Sequence, residues 1–189
     1  MVPNSRCRGK GVGLASRRRF PYGCGVIHGK VWKFGDDVNT DVITPGKYLT
    51  IREPEQLAPH VMEGIDPGFT TKAKPGDLIV AGKNFGCGSS RETAPAAIKA
   101  FGLGCVIAAS FARIFLRNAI NIALPIAESP EAAREIREGD IVTVDVAAGT
   151  IFDETTGKSY RAAPFPPFLQ EMMKAGGLIN YTRQRLGLA

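Results

Sequence analysis

The sequence predicts an α/β domain that carries a second, smaller layer of β-strands. Between residues 78 and 126, short apolar runs alternate with segments of helical spacing, which is the pattern of parallel strands joined by helices. Beyond Gly139, short alternating segments are separated by tight turns, as in antiparallel strands. The chain has 189 residues, which is enough to bury a core without disulfides or a structural metal.

The first third of the chain contains two predicted elements and a polar loop. Residues 30–34 alternate between apolar and polar side chains, which predicts a short strand, and residues 35–41 follow as a loop. Residues 54–63 have apolar side chains at helical spacing. Pro54 lies in the first turn of this segment, where its missing N–H costs no hydrogen bond. The segment therefore predicts a single helix.

The rest of the chain predicts the alternation of strands and helices and then the β-rich layer. A turn at 75–77 precedes the wholly apolar segment 78–81, which predicts a buried strand, and a glycine-rich loop covers 82–90. The elements predicted next are a helix at 91–101, a strand at 105–109, a helix at 111–121 and a short strand at 123–126. The last part predicts strands at 140–146, 150–152 and 158–162, and helices at 166–175 and 178–186.

The excess of positive charge is confined to the N-terminus. The chain has 24 Lys and Arg and 18 Asp and Glu, and a formal net charge of +6. Residues 1–28 contain six of the basic residues and no acidic one, so the remainder is neutral. Nucleic-acid-binding proteins carry their basic surface on the folded domain, so this distribution argues against such a role. We expect residues 1–28 to be a disordered or non-native basic extension and residues 29–189 to form the domain.

Cysteine usage and hydropathy bear on cofactor and compartment. The four cysteines, Cys7, Cys24, Cys87 and Cys105, form neither a C-x-x-C pair nor a zinc pattern. They do not provide the three or four clustered cysteines of an iron–sulfur site, so we expect no metal in this chain. No apolar run approaches the ~20 residues that span a bilayer, and the N-terminus lacks the apolar stretch of a secretory signal. We expect a cytoplasmic protein that does not enter a membrane, or an organellar one if the Arg-rich N-terminus is a transit peptide.

Residues 84–92 (NFGCGSSRE) are the most informative stretch for function. A predicted strand leads into a glycine-rich loop that ends at a helix N-terminus, where backbone N–H groups and the helix dipole favour an anion. Ser89, Ser90 and Arg91 add two hydroxyls and a guanidinium that can bind a carboxylate through two parallel hydrogen bonds. The alternative is that Ser89 or Ser90 is only the N-cap of the helix.

A second polar stretch is formed by residues 37–41 (DVNTD) together with 44–49 (TPGKYL). Spaced acids and amides suggest calcium, but the loop lacks the Gly at its sixth position and the Glu at its twelfth that a calcium loop needs. The simplest interpretation of this stretch alone is a loop whose Asp and Asn side chains accept hydrogen bonds from its own backbone.

Taken together, three motifs resemble the small subunit of 3-isopropylmalate dehydratase, a member of the aconitase superfamily. They are residues 35–43 (GDDVNTDVI), 82–92 (GKNFGCGSSRE) and 110–115 (SFARIF), and they occur in the order that the family has. The resemblance covers about residues 29–126 and extends more loosely to the C-terminus.

The resemblance implies a swivelling β/β/α domain, equivalent to the last domain of aconitase. It also implies a separate large subunit that carries a [4Fe–4S] cluster, with which the small subunit forms a heterodimer or heterotetramer. The implied reaction interconverts 2-isopropylmalate and 3-isopropylmalate by dehydration and rehydration, a step of leucine biosynthesis. The missing cluster cysteines agree with that division between two chains.

The resemblance also implies a role for each matching residue. Ser89 aligns with the serine that removes, as an alkoxide, the proton from the carbon beside a carboxylate. Ser90 and Arg91 align with residues that bind the substrate carboxylate, and Thr44 matches a hydroxyl position near the substrate. Asp41 aligns with an acid that orients an active-site histidine, which is expected on the large subunit.

The sequence departs from the family pattern at two places. Thr93 stands where most relatives have His. If that His only packs or caps, the exchange changes little. If that His contacts the partner, the exchange alters the interface. The second place is the specificity loop, Tyr48, Leu49 and Thr50. Homoaconitase-like relatives have Arg in place of Thr50 to meet an additional carboxylate, so the loop favours a substrate with an apolar substituent; Arg52 leaves the alternative open.

Two other functions remain open from the sequence. Within the superfamily, the chain could be the small subunit of a homoaconitase or of a 2,3-dimethylmalate dehydratase. From a different class, it could be a non-catalytic module that binds anions through the same loop. Only the enzymatic hypotheses require a cluster-bearing large subunit.

Overall fold

The computed structural model describes residues 25–188, which form a single mixed sheet with helices on its faces. The strands in this part are β1 (Val26–Lys33), β2 (Leu78–Ala81), β3 (Cys105–Ala108), β4 (Ile126–Glu128), β5 (Ile141–Asp145), β6 (Thr150–Asp153) and β7 (Lys158–Arg161). The helices are α1 (Thr40–Ile43), α2 (Pro54–Leu57), α3 (Phe69–Lys72), α4 (Thr93–Phe101), α5 (Arg113–Asn121), α6 (Pro130–Glu135), α7 (Pro167–Lys174) and α8 (Leu178–Arg185). Short 3₁₀ turns occur at Gly46–Tyr48 and Ala58–His60.

The first strand joins the two halves of the sheet, whose order is β4-β3-β2-β1-β5-β6-β7. Residues 31–33 of β1 pair in parallel with β2, and β2, β3 and β4 continue the parallel part. Residues 26–30 of the same strand pair antiparallel with β5, and β6 and β7 extend that part as hairpins. The predicted α/β core with a β-rich layer is therefore confirmed, with both layers sharing one strand.

Apolar side chains from the central strands point alternately to two separate cores. Ile79 and Val106 lie in the larger core, together with apolar residues of the helices on that face. Leu78, Val80 and Ile107 lie in the smaller core, with apolar residues of β5, β6, β7 and α6. Because both faces of β2 and β3 are covered, every residue of these two strands is buried. This is why both segments are uninterrupted apolar runs in the sequence.

The single helix predicted at 54–63 is wrong. The chain forms α2, then a 3₁₀ turn, and Val61 is already extended with ψ of 131°. Pro59 explains the break, because it has no N–H to donate to the preceding turn and its ring disfavours a continuing α-helix. Met62 then adopts a left-handed backbone conformation, with φ of 61°.

Several other boundaries differ from the prediction. Helices α4 and α5 begin two residues later than predicted, and β4 lies at 126–128 rather than 123–126. Helices α1, α3 and α6 were not predicted. A signal for α6 existed, since Ser129 caps it by accepting from the Ala132 N–H and Pro130 follows at the first helical position.

The N-terminal boundary is also corrected. Strand β1 begins at Val26, so residues 26–28 belong to the sheet and not to the predicted extension. The predicted extension otherwise lies in residues 1–24, outside the described part. Among residues 25–188, no helix combines the length and apolar character needed to cross a membrane.

A buried carboxylate fixes the turn before β2. One oxygen of Asp77, Oδ2, accepts from the Trp32 indole N–H at 2.9 Å and from the Lys74 backbone N–H at 2.9 Å. Asp77 and Trp32 are each less than a tenth exposed, so the indole N–H has no water as a ready substitute. The side chain thus ties β1 to the turn that starts β2.

We expect Asp77→Ala to lower the free energy of unfolding by about 1–3 kcal/mol, because it leaves the buried Trp32 indole N–H without an acceptor. Urea unfolding of the variant is the measurement. Glu131→Ala, at an exposed position in the first turn of α6, is the control and should change stability far less. Equal stability of the Asp77→Ala variant and the unmodified chain would contradict the expectation.

Candidate active site

The motif residues gather at the carboxyl ends of the parallel strands. Segment 34–41 follows β1, segment 82–92 follows β2 and segment 109–112 follows β3. In open α/β sheets, ligands bind outside this edge. Backbone hydrogen bonds join the first two segments: the Asp37 N–H donates to the Lys83 oxygen at 2.9 Å, and the Thr40 N–H donates to the Cys87 oxygen at 2.8 Å.

The glycine-rich loop rests on an aromatic cluster that the motif 110–115 provides. The Phe85 ring packs edge-on against Phe115 at 5.1 Å between centroids and against Phe111 at 6.1 Å. Gly86 has φ of +78°, and a Cβ at this position would collide with the Phe115 ring. Only glycine allows the loop to approach the ring this closely while adopting that conformation.

Backbone hydrogen bonds add to this aromatic support. The Phe85 N–H donates to the Ser110 oxygen at 3.0 Å, and the Ala112 N–H donates to the Phe85 oxygen at 2.9 Å. The Ser110 hydroxyl accepts from the Asn84 N–H at 2.9 Å. The SFARIF motif therefore supports the glycine-rich loop through both aromatic and hydrogen-bond contacts.

Ser89 and Ser90 are exposed, and neither is a helix cap. Helix α4 begins at Thr93, with Glu92 at the N-cap position and no side-chain capping bond. The N-cap alternative for the two serines is therefore wrong. The Ser89 carbonyl accepts from the Thr40 hydroxyl at 3.1 Å, which fixes the backbone beside the exposed side chain.

The backbone around the serines is rich in available donors. Within residues 25–188, no hydrogen bond is formed by the backbone N–H groups of residues 89–92. These groups lie just before the N-terminus of α4, a nine-residue helix whose dipole is positive at this end. The arrangement has the donors and the field that an anion site needs.

An ion pair connects the two motif segments. Arg91 Nη1 lies 2.6 Å from Asp41 Oδ1 and donates to the Thr44 carbonyl at 3.2 Å. The Arg91 side chain is 12% exposed, whereas the Asp41 side chain is 55% exposed. The backbone of Gly46 lies beside both groups, since a Cβ there would be 3.7 Å from Asp41 Oδ1 and 3.8 Å from Arg91 Nη2. Both of these polar contacts are made by Nη1, so this atom holds the Arg91 side chain in place.

Within the polar stretch 37–41, one side chain caps the backbone and two contact the segment 82–92. Asn39 caps α1, its Oδ1 accepting from the Val42 N–H at 3.0 Å, so the loop-capping interpretation is right for this residue. Asp41 instead forms an ion pair with Arg91. The carboxamide of Asn84 donates to Asp37 at 2.8 Å, which ties the start of this stretch to the glycine-rich loop.

Two threonines near Arg91 are more enclosed than the sequence suggested. Thr44 is fully buried, and its hydroxyl has no hydrogen-bond partner among the described residues. The Thr93 hydroxyl is likewise buried and without a partner in the described chain. Thr93, which stands where the resemblance implies His, therefore directs its hydroxyl toward the interior of the chain.

The predicted specificity loop is anchored at one residue and exposed at the next two. The Tyr48 hydroxyl donates to Glu63, with O–O distances of 2.8 and 3.1 Å to the two carboxylate oxygens. Leu49 is 49% exposed and Thr50 is exposed. Glu63 and the nearby His60 were not predicted from the sequence, because Glu63 acts through contacts with the separate segment 47–48.

The cysteines of the described chain do not fit an iron–sulfur cluster. Cys87 lies in the glycine-rich loop with its Sγ 3.5 Å from the Asp37 carbonyl, and burial raises the pKa of its thiol, with Asp37 contributing. Cys105 is enclosed in β3, and burial raises the pKa of its thiol further. In residues 25–188, no three His, Cys, Asp or Glu side chains come together as metal ligands. Cys7 and Cys24 lie outside the described residues.

Comparisons with known proteins place the chain among relatives of one kind. The family model of the aconitase C-terminal domain matches residues 39–131. The 3-isopropylmalate dehydratase small subunit of Thermodesulfovibrio yellowstonii is 57% identical over 162 residues, covering 86% of this chain and 96% of the relative. That of Heliobacterium modesticaldum is 58% identical over 158 residues, covering 84% and 95%.

A solved structure shows the same fold. The crystal structure of 3-isopropylmalate dehydratase (leuD) from Methanocaldococcus jannaschii superposes with a TM-score of 0.82 at 48% identity, covering 87% of this chain and 97% of that chain. The predicted aconitase-type swivel fold is thereby confirmed. The chain belongs to the family of 3-isopropylmalate dehydratase small subunits.

Proposed function

We propose that this chain is the small subunit of a 3-isopropylmalate dehydratase, a hydro-lyase of leucine biosynthesis that is active only with its large subunit. It interconverts 2-isopropylmalate and 3-isopropylmalate by removing and re-adding water. The observation that carries the proposal is the junction of the exposed Ser89 with the Arg91–Asp41 pair, at a helix N-terminus with unpaired N–H groups. The family relatives support the substrate and the partner.

The chemistry proposed for Ser89 is abstraction of a proton from the carbon beside a substrate carboxylate. The Ser89 oxygen acts as an alkoxide, takes that proton and returns it when water is re-added. A serine hydroxyl is far too weak an acid to ionise in water, so its oxyanion must be stabilised where it forms. The neighbouring N–H groups, the positive end of α4 and the Arg91 guanidinium supply that stabilisation.

The carboxylate of the substrate is bound by Ser90 and Arg91. A guanidinium held by Nη1 retains further N–H donors in a fixed plane, which suits the two oxygens of a carboxylate. Asp41 holds Arg91 in this orientation, and its exposed surface is also available to orient a histidine of the large subunit. The Thr44 carbonyl helps to position Arg91. The buried Thr44 hydroxyl can contact the substrate directly only if the segment after α1 moves.

The partner and the compartment complete the proposal. We place the [4Fe–4S] cluster on the large subunit, because the described cysteines of this chain do not fit one. The complex is a heterodimer or a heterotetramer in the cytoplasm, and neither nucleic acid nor a membrane takes part. The direct test is reconstitution: the purified chain mixed with a cluster-loaded large subunit should dehydrate 3-isopropylmalate, and each chain alone should not.

Ser89→Ala should lower kcat at least about a thousandfold while the two subunits still assemble, since the variant removes the base whose oxyanion the site stabilises. The measurement is steady-state turnover of the reconstituted pair, with assembly followed by size-exclusion chromatography. Ser159→Ala, at an exposed position on β7, is the matched control. Near-normal turnover of assembled Ser89→Ala would show that another group removes the proton.

Arg91→Lys should raise KM for 3-isopropylmalate more than about tenfold, because an ammonium cannot reproduce both the Asp41 contact and a two-point contact with a carboxylate. Initial rates over a range of substrate concentrations give the value. Arg134→Lys, an exposed substitution on α6, makes the same exchange at a distance from the loop. An unchanged KM in Arg91→Lys would remove Arg91 from the binding site.

The unmodified pair should strongly prefer 3-isopropylmalate to a homologous substrate with a carboxylated substituent. Leu49 and Thr50 offer exposed apolar surface and a hydroxyl but no cation, and burying a carboxylate there unpaired costs at least a few kcal/mol. Thr50→Arg should shift the preference toward the homologous substrate, which has a third carboxylate on its substituent. The measurement is kcat/KM for both substrates; comparable values for the unmodified pair would mean that Arg52 or the large subunit supplies the charge, and would favour the homoaconitase alternative.

A further inference from the structure

A carboxylate outside the motif residues organises the loop that carries Tyr48, Leu49 and Thr50. Glu63 receives hydrogen bonds from three side chains: Lys47 Nζ at 2.7 Å, His60 Nδ1 at 2.7 Å, and the Tyr48 hydroxyl at 2.8 Å. These bonds lower the pKa of the Glu63 carboxyl to about 2, with Lys47 contributing most, so Glu63 is ionised throughout the neutral range.

Stacking reinforces the same cluster. The rings of Tyr48 and His60 lie 3.7 Å apart at an interplanar angle of 18°, and Lys47 Nζ lies 4.8 Å from the Tyr48 ring centre. Tyr48 is therefore fixed at its ring by His60 and at its hydroxyl by Glu63. Two of these partners, Glu63 and His60, come from the segment after α2, whereas Lys47 and Tyr48 come from the specificity loop itself.

The segment that carries Glu63 is itself bound to the active-site helix α1. The Met62 N–H donates to the Ile43 oxygen at 2.8 Å, and the Gly64 N–H donates to the Val42 oxygen at 3.0 Å. A side chain at Gly64 would collide with the Val42 backbone, so the two segments are in direct contact. Asp41, which holds Arg91, precedes Val42 in the same helix.

We infer that Glu63 is a positioning residue that sets the specificity loop at a fixed place relative to the Asp41–Arg91 pair. The connection runs from Arg91 through Asp41 and α1 to residues 62–64, and from the Glu63 carboxylate to Tyr48. Leu49 and Thr50, next in the chain, then face the substrate substituent from a loop held at its base. The inference rests on the proposed function and adds to it a determinant of substrate choice outside the loop.

Glu63→Gln tests the role with little change of shape. An amide cannot serve as a charged acceptor for three donors, and hydrogen bonds to charged groups are the stronger ones. We expect KM for 3-isopropylmalate to rise about tenfold in the reconstituted pair while kcat changes less than threefold, because Ser89 lies on a different loop. The preference over the carboxylated homologue should fall by a similar factor. Glu55→Gln, an exposed residue of α2, removes the same charge and should change none of these values.

A double-variant cycle separates positioning from a general loss of stability. Tyr48→Phe removes only the hydroxyl donor and keeps the stacked ring, and it should reproduce part of the effect of Glu63→Gln on KM. If both act through one contact, the double variant should be no worse than Glu63→Gln alone. Full additivity of the two effects on KM, or unchanged KM and substrate preference in Glu63→Gln, would overturn the inference.

Hydrogen exchange on the full chain gives a readout that does not depend on turnover. The amides of Tyr48, Leu49 and Ile51 close turns within the loop by donating to Pro45, Gly46 and Tyr48. In Glu63→Gln their exchange should accelerate several-fold, while the amides of α4 should exchange as before. An inactive unmodified pair would refute the proposed function alone, whereas unaltered exchange at the loop amides would refute the positioning role.

Discussion

The ion pair between Arg91 and Asp41 is the contact on which the geometry of the site depends. It joins the glycine-rich loop after β2 to the short helix after β1, two segments that lie 50 positions apart in the chain. Because Nη1 of Arg91 also donates to the Thr44 carbonyl, the chain alone holds the guanidinium in place. Fixing the donors in advance avoids the cost of ordering them during the reaction.

The loop that presents Ser89 and Arg91 is supported by packing rather than by regular secondary structure. The Phe85 backbone forms a β-bridge with the Phe111 backbone, and Gly86 lies against the Phe115 ring. The loop therefore cannot shift without breaking both contacts. The exposed serines are therefore supported by buried neighbours three to five residues away. A site of this kind gains its precision from the aromatic cluster, while its exposed serines stay accessible.

The sequence predicted most of this arrangement, and its failures have physical causes. Two features could be predicted because the local pattern and the tertiary environment agree there. They are the apolar runs of β2 and β3, which are buried on both faces, and the Gly–Ser–Ser–Arg loop. The helix at 54–63 was wrong because its apolar spacing outweighed the steric effect of Pro59. Glu63 was missed because its importance comes from Lys47 and Tyr48, and contacts across a turn leave no periodic signal in a single sequence.

Exposure also explains why such a site needs a second chain. The Asp41 side chain is more than half exposed, and Ser89 and Ser90 are exposed, so water competes for the carboxylate and for the serine hydroxyls. In that setting the proposed Ser89 alkoxide would be protonated by water. When a partner covers the edge, the same donors act in a medium of lower dielectric constant and their interactions strengthen severalfold. Under the proposed function, the small subunit thus holds a prearranged set of charges whose catalytic strength appears only on assembly.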